Sequence, residues 1–281
     1  MIHRAVAAAL LLLALAPAVQ AQFAVTPRDL TGNDGIPEAW DVETPWYRAR
    51  FTLAEAGSAT SLIYKPLNLE LRAEDYYATR NNLFRDWVRQ ADPDPITGFT
   101  RRIGPEIRAA QFPAAFRVLR QTPQELVLQF EIAYTKAGGL EWFDKLRQRR
   151  RLTFRADSPA VRVENEILNT DAEPRSVLFD LFNGLGLGRV ETAACIPGPE
   201  GKIVGRDRAT EDSSTFIFAP EPAGDWIGGV NAEGQGAAFS LDWADVDSME
   251  ISLWKTVGAT YIVNMRRRTI PPGEAATFVY T

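Results

Sequence analysis

Apolar and polar residues alternate along most of the chain, and turn residues separate the alternating segments. Because successive side chains of a strand point to opposite faces, a period of two is typical of half-buried β-strands. The alternation is clear in segments 46–53, 59–66, 67–73, 114–122, 125–135, 149–156, 160–169, 176–182, 214–219, 225–231, 236–243, 248–256, 260–267 and 276–281. Residues 80–91 instead have the pattern of a short helix. We therefore predict an all-β protein, a large antiparallel β-sandwich with few or no long helices.

The first 21 residues differ from this pattern. A basic start with His3 and Arg4 leads into an apolar run and then Val19-x-Ala21, which is the pattern of a secretory signal peptide. The apolar run and every later one are shorter than the roughly 20 residues that span a bilayer. We expect a signal peptide at 1–21, a single β-sandwich domain at 22–281, no transmembrane segment after signal removal, and a periplasmic or secreted product.

Charge and residue counts exclude several classes of function. The net charge of −5 predicts no nucleic-acid partner, and the basic run 147–151 is interpreted as a solvated strand face. One cysteine, Cys195, excludes an internal disulfide. The one histidine, His3, lies in the predicted signal peptide, so the mature chain would lack Ser-His-Asp, Cys-His and imidazole metal sites. Proton transfer would then depend on Asp, Glu, Tyr, Lys or Cys.

Three stretches carry a resemblance to a known family. They are "TSLIYKP…LELRAEDYYATRNN" (60–82), "VRVENEILNTDAEPRSV" (161–177) and "TIPPGEAATFVYT" (269–281). The second predicts a hairpin that turns at Asn169-Thr170-Asp171 and Pro174. Together they resemble the galactose mutarotase-like β-supersandwich over roughly residues 45–281. The resemblance implies this fold and carbohydrate as the ligand class, but fold alone does not fix function.

Asp180 is a lone carboxylate in the otherwise apolar strand "SVLFDLF" (176–182). In the aldose 1-epimerases of the family, the resembling strand carries a catalytic histidine, and the register places Asp180 there. The epimerase Asn-Arg pair is echoed by Arg80 and Asn81. We therefore predict no histidine-dependent mutarotase. We expect Asp180 to point into a cleft as an acid or base, near an arginine, a tryptophan or a second carboxylate. The alternative is a structural role, capping a bulge or binding an arginine.

Other candidate site residues follow from carboxylates beside aromatic rings and from the two-carboxylate mechanism of glycosidases. Glu141 beside Trp142 and Asp242 beside Trp243 join Asp180 as candidate catalytic groups. Charged neighbours predict that Trp87, Trp142 and Trp254 are incompletely buried. The candidate substrate-binding residues are Arg80, Asn81, Trp87, Trp142, Asn183, Trp254 and Lys255.

We expect no cofactor. The acidic segment 242–250, with Asp242, Asp245, Asp247 and Glu250, could supply calcium ligands. It lacks the glycine spacing of a known calcium loop, and a solvated loop is favoured.

Three functions remain open. One is a glycoside hydrolase, or a polysaccharide lyase that uses a tyrosine as base and a nearby cation. Tyr64 and Lys65 are an example of such a pair. The second is a non-catalytic glycan-binding sandwich, and the third is a periplasmic assembly factor that binds polypeptide. Two carboxylates on a concave face would favour the first, exposed aromatics without such a pair the second, and an apolar groove without either the third. We favour carbohydrate recognition.

Overall fold

The computed structural model describes residues 23–281 except Asn33, Ala56 and nine internal segments. These segments are 74–81, 93–101, 104–113, 135–140, 189–191, 198–202, 207–212, 219–223 and 255–257. The expected signal peptide, and the candidate site residues Arg80, Asn81 and Lys255, therefore lie outside the described residues.

The described chain forms twenty-one β-strands, which confirms the predicted all-β class. Their bounds are β1 Ala24–Arg28, β2 Ala39–Glu43, β3 Tyr47–Thr52, β4 Ala59–Tyr64, β5 Leu69–Glu70, β6 Trp87–Gln90, β7 Arg102–Ile103, β8 Ala114–Gln121, β9 Glu125–Ala133, β10 Leu146–Arg155, β11 Ser158–Asn169, β12 Arg175–Leu185, β13 Thr192–Pro197, β14 Ile203–Arg206, β15 Ser213–Phe218, β16 Trp226–Asn231, β17 Gly236–Ser240, β18 Val246–Trp254, β19 Gly258–Met265, β20 Arg268–Ile270 and β21 Ala275–Tyr280.

These strands form four antiparallel sheets. The first has the order β1-β2-β3-β4-β5, and the second has the order β21-β11-β10-β9-β8. The third sheet has seven strands in the order β15-β18-β19-β12-β6-β7, with β20 also paired to β12. The fourth has the order β14-β13-β16-β17. Buried apolar residues from the sheets form one hydrophobic cluster, so the sheets pack as a sandwich.

Helical structure in the described residues is limited to short 3₁₀ segments. They are Leu53–Glu55, Lys65–Leu67, Glu141–Lys145 and Trp243–Asp245. The short helix predicted over 80–91 is wrong where the structure describes it, because Trp87–Gln90 pairs as a strand with β12. In the described part of the chain, no helix has the length and apolar character needed to cross a membrane.

The predicted hairpin around Asn169 and Pro174 is also wrong. β11 pairs with β10 and β21, whereas β12 pairs with β19, β20 and β6, so the two consecutive strands belong to different sheets. Asn169 stabilises the connection from β11 to β12, where the chain passes from one sheet to another. Its Nδ2 donates to the carbonyls of Glu173 at 2.8 Å and Ile270 at 2.9 Å, and its Oδ1 accepts from the Asp171 amide at 2.9 Å.

The basic run 147–151 is only partly the solvated face that the sequence predicts. Burial alternates along β10, so Arg149 and Arg151 are partly exposed while Arg150 is completely buried. An Arg150 nitrogen lies 3.5 Å from a carboxylate oxygen of Asp86, which is also fully buried. Asp86 further accepts hydrogen bonds from Asn165 and Tyr280. Burial raises the pKa of Asp86, although the Arg150 charge opposes that shift. This network lies within the core.

Candidate functional site

Asp180 lies in a polar cluster that crosses four neighbouring strands of the seven-stranded sheet. The Nε of Arg89 is 2.6 Å from Oδ2 of Asp180, and Nη2 of Arg89 donates to Oδ1 at 2.8 Å. The same Nη2 donates to Oδ1 of Asn264 at 3.0 Å. Asn264 in turn donates to the hydroxyl of Ser248 at 2.9 Å. We call Arg89, Asp180, Ser248 and Asn264 the Asp180 cluster.

Strand register explains why these four side chains meet. Asp180 of β12 is paired directly with Asn264 of β19, and Asn264 is paired with Ser248 of β18. Arg89 of β6 is paired with Leu178, two residues before Asp180. Directly paired residues, and residues two apart on one strand, share a sheet face. The cluster therefore occupies one face of the sheet.

The opposite face of β12 belongs to the core. Phe179 is completely buried and stacks on Phe278 of β21, with ring centroids 4.6 Å apart. Since neighbouring residues of a strand point in opposite directions, Asp180 points away from that packing. The alternation in "SVLFDLF" thus places the carboxylate on the face away from the five-stranded sheet that contains β21.

Within the cluster, Asp180 is covered and Arg89 reaches the surface. The Asp180 side chain is 3 % exposed and the Arg89 side chain is 25 % exposed. Arg89 thus donates one hydrogen bond to Asp180 through Nη2, and the Nε–Oδ2 distance places the rest of the guanidinium in an ion pair with the same carboxylate. The arginine contact expected for Asp180 is therefore present. The arrangement suits Asp180 to orienting Arg89 and accepting hydrogen bonds.

Aromatic rings flank the cluster on the same strands. Trp87, paired with Asp180, stacks on Phe182 with centroids 4.6 Å apart, and the Arg85 guanidinium lies 5.1 Å from the Phe182 ring. Trp87 is 4 % exposed, so the expectation of incomplete burial is wrong for this residue. Its charged neighbours did not prevent burial, because Arg85 is itself buried against the rings.

Asn183, one of the candidate substrate-binding residues, does not lie at an open surface. It is buried, and its Oδ1 accepts a hydrogen bond of 2.7 Å from the amide of Phe84. The register places it on the same side of β12 as Leu181 and Phe179. This carboxamide ties the chain before β6 to β12.

The structure places Glu141 and Asp242 away from the Asp180 cluster. The segment Glu141–Lys145 precedes β10. It contacts the connection between β11 and β12, where Thr170 donates to the Lys145 carbonyl. Asp242 is exposed and caps the segment Trp243–Asp245 by accepting from the Ala244 amide at 2.9 Å. It borders a separate cavity with Asp225 and Thr281.

The remaining candidates are spread over the molecule. Trp142 is partly buried, and the guanidinium of Arg175 lies 5.2 Å from its ring. Arg175 is five residues before Asp180, or about 17 Å along an extended strand. Trp254 is the last residue of β18. Lys65, weighed as a lyase cation, lies 2.6 Å from Glu43 and donates to the Thr44 carbonyl.

Acidic groups of the segment 242–250 have separate local partners. Asp245 pairs with Arg268, while Asp242 caps its own turn. Among the described residues, the carboxylates close enough together to share an ion are those of Asp29, Asp34 and Glu38, all within 4.8 Å. Loop amides already bond to these oxygens, as from Gly32 to Asp29 and from Leu30 to Glu38.

Sequence reasoning missed Arg89, Asn264 and Ser248, and it considered Glu250 only as a possible calcium ligand. Glu250 is paired with Ile262, which is paired with Phe182, so Glu250 shares the face of Asp180. Two strand spacings and two residues separate the backbones of the two acids by roughly 12 Å. Alternation in "SMEISLW" was the available signal for Glu250. Nothing local marks Arg89 or Asn264, because their contacts depend on strands far apart in the sequence.

Comparison with known proteins identifies the fold. The sequence matches no family model and no curated protein. The structure resembles a galactose mutarotase-like protein from Clostridium acetobutylicum, with a TM-score of 0.61 and 8 % identity over 92 % of this chain and 97 % of that one. It also resembles a galactose mutarotase-like protein from Lactobacillus casei, with a TM-score of 0.53 and 11 % identity over 85 % and 97 % of the two chains. A GH36 α-galactosidase from Geobacillus stearothermophilus matches with a TM-score of 0.53 and 12 % identity, over 92 % of this chain and 40 % of that one. The chain therefore has the galactose mutarotase-like sandwich fold, as its sequence predicts.

Proposed function

We propose that the protein is an exported carbohydrate-recognising protein whose sugar site is centred on the Asp180 cluster. The observation that carries the proposal is the contact of Arg89 with both Asp180 and Asn264 on one sheet face. Fixed guanidinium, carboxamide and hydroxyl groups on one sheet face are groups that hydrogen-bond to sugar hydroxyls. Solved structures of the same fold include proteins named as galactose mutarotase-like and as an α-galactosidase, which supports this ligand class.

Binding is better supported than hydrolysis. A hydrolase would need a proton donor and a second carboxylate about 5.5 Å away for retention or roughly 6.5–9.5 Å away for inversion. Asp180 is covered and held by the Arg89 guanidinium. Glu250, the acid on the same sheet face, lies on β18, which β19 separates from β12. If the protein is catalytic, Asp180 would act as a base or as a positioning group.

The proposal is tested by screening bacterial and plant glycans for a thermal shift and for released product. Wild-type protein should be stabilised by at least one glycan. Asp180→Asn and Arg89→Lys should each weaken that binding about tenfold or more. The first removes the charge that holds Arg89, and the second removes the guanidinium that bridges Asp180 and Asn264. The matched control is Asp157→Asn, which removes an exposed aspartate–arginine pair at the turn between β10 and β11. If the folded Asp180→Asn protein binds the glycan with unchanged affinity, the sugar site is not on this sheet face.

Export is tested separately. The pattern Val19-x-Ala21 supports cleavage after Ala21, and mass spectrometry of protein from the native host should find a chain that begins at Gln22. Recovery of the full-length chain in the membrane fraction would show that the segment is an anchor.

A further inference from the structure

An apolar cavity of about 410 Å³ lies between the first five-stranded sheet and β17. Its inner wall includes the buried side chains of Leu71, Leu83 and Leu185, and its rim includes Leu67, which is 51 % exposed. Among the described residues that line it, none is Asp, Glu, Lys or Arg. Its volume is within the range of about 300–1,000 Å³ that is usual for ligand pockets. This cavity lies apart from the Asp180 cluster, none of whose residues lines it.

Two tyrosine hydroxyls at this cavity already have partners in the protein. The hydroxyl of Tyr47 donates to the carbonyl of Pro159 at 2.6 Å, and that of Tyr280 contacts the carboxylate of Asp86 at 3.2 Å. Burial raises the pKa of Tyr47 to about 12, so its phenol stays protonated at neutral pH. The part of an occupant that enters the cavity must therefore be uncharged and apolar.

One wall of the cavity is the edge of β17. Ser240 is paired in register with Trp226 of β16, yet its amide and carbonyl bond to Thr281 at 2.8 and 2.9 Å, away from β16. Since both backbone groups of a strand residue point the same way and the direction alternates, those of Ala238 and Gly236 also point away from β16. In the described structure no hydrogen bond satisfies them, and both residues are exposed.

We propose that the β17 edge and this cavity together bind an extended segment of a partner polypeptide with uncharged apolar side chains at alternate positions. The segment runs antiparallel to β17, in line with β21, and bonds to Gly236 and Ala238. Alternate side chains of such a strand project to one side, which lets them enter the cavity. The side chains that line the cavity carry no charge, so they complement an uncharged segment.

A short synthetic peptide that alternates valine with threonine is the probe. Fluorescence anisotropy measures its binding to the full chain, and amide hydrogen exchange reports on Gly236 and Ala238. Ala238→Pro removes the outward amide at an edge position, where proline is tolerated. Leu67→Asp charges the rim. The matched control is Val118→Asp, an exposed apolar residue on β8.

We expect the peptide to bind, to protect both amides, and to bind about tenfold or more weakly to Ala238→Pro and Leu67→Asp but not to Val118→Asp. The same peptide with alternate backbone amides methylated tests the edge without altering the protein, and it should not bind the wild type. Undiminished binding of the methylated peptide, or no binding of the unmodified peptide, would overturn the proposal. Lauric acid is the second probe, because it has an apolar chain and no backbone amides. Binding of lauric acid without binding of the peptide would also overturn the proposal.

Discussion

Asn169 determines how the chain passes from one sheet to another. It is completely buried, and its three hydrogen bonds satisfy the carbonyls of Glu173 and Ile270 and the amide of Asp171. Asn169→Ala should lower the free energy of unfolding by about 1–3 kcal/mol, because one buried and two partly buried backbone groups lose their partner. Urea unfolding measures this cost. Thr170→Ala, at an exposed site one residue later, is the control and should cost less; equal costs would contradict the role.

Asp41 gives a residue-level prediction about pH. Hydrogen bonds from Arg50 and then Arg28 hold the pKa of Asp41 below its usual value of 3.8. A lowered pKa in the folded state stabilises the protein above the unfolded pKa, and this contribution is lost as pH falls through the folded value. The Asp41 side chain is 26 % exposed and its two arginine partners are about half exposed, so Asp41→Asn should cost less than about 1 kcal/mol at neutral pH. In urea unfolding, that cost should shrink towards zero as the pH falls below 3.8 and through the lowered folded-state pKa. A pH-independent cost would contradict it.

Residue-level predictions succeeded where a local rule applies. An aspartate in a strand that is apolar on both faces needs a partner, and Asp180 has Arg89. The identity of that partner could not be predicted, because 91 residues separate the two in sequence. Asn183 was a candidate for substrate binding, but its side chain is buried, and burial at this position depends on strand packing that the local sequence does not reveal.

At the scale of elements, β10 provides a test with a built-in control. Arg150 and Arg151 are neighbours on opposite faces, the first fully buried beside Asp86 and the second with its side chain 38 % exposed. Arg150→Met should destabilise the protein by about 3–5 kcal/mol, because it leaves the Asp86 carboxyl buried without its cation. Arg151→Met should cost less than about 1 kcal/mol. Chemical denaturation of both variants tests the assignment, and a reversed order of costs would refute the orientation of β10.

Strands could be predicted from the sequence more reliably than their pairing. The period of two marks β9, β10 and β11, each of which lies within or close to its predicted segment. The predicted hairpin failed because β12 takes its neighbours from β6 and β19, both remote in sequence. Residues 87–90 read as helical because their apolar spacing was compatible with both periods, and pairing with β12 decided the outcome.

For the whole molecule, the fold was predictable and the chemistry only in part. The alternation of apolar and polar residues predicted the sandwich. The stretches 60–82, 161–177 and 269–281 predicted its likeness to mutarotase-like proteins. The resemblance places Asp180 where epimerases have a histidine, and the sequence has no histidine after His3. We therefore predict that mature protein does not accelerate glucose or galactose mutarotation in polarimetry. A rate that rises in proportion to protein concentration would contradict this.

The most direct test of the central claim is to observe the Asp180 cluster while sugar binds. Nuclear magnetic resonance of the Arg89 Nε–H group and the Asn264 side-chain amide reports on these groups without mutation. On titration with the glycan that gives the largest thermal shift, both signals should move along one saturable curve with the same dissociation constant. Saturation with both signals unmoved, or a panel in which no glycan binds, would contradict a carbohydrate site at Asp180.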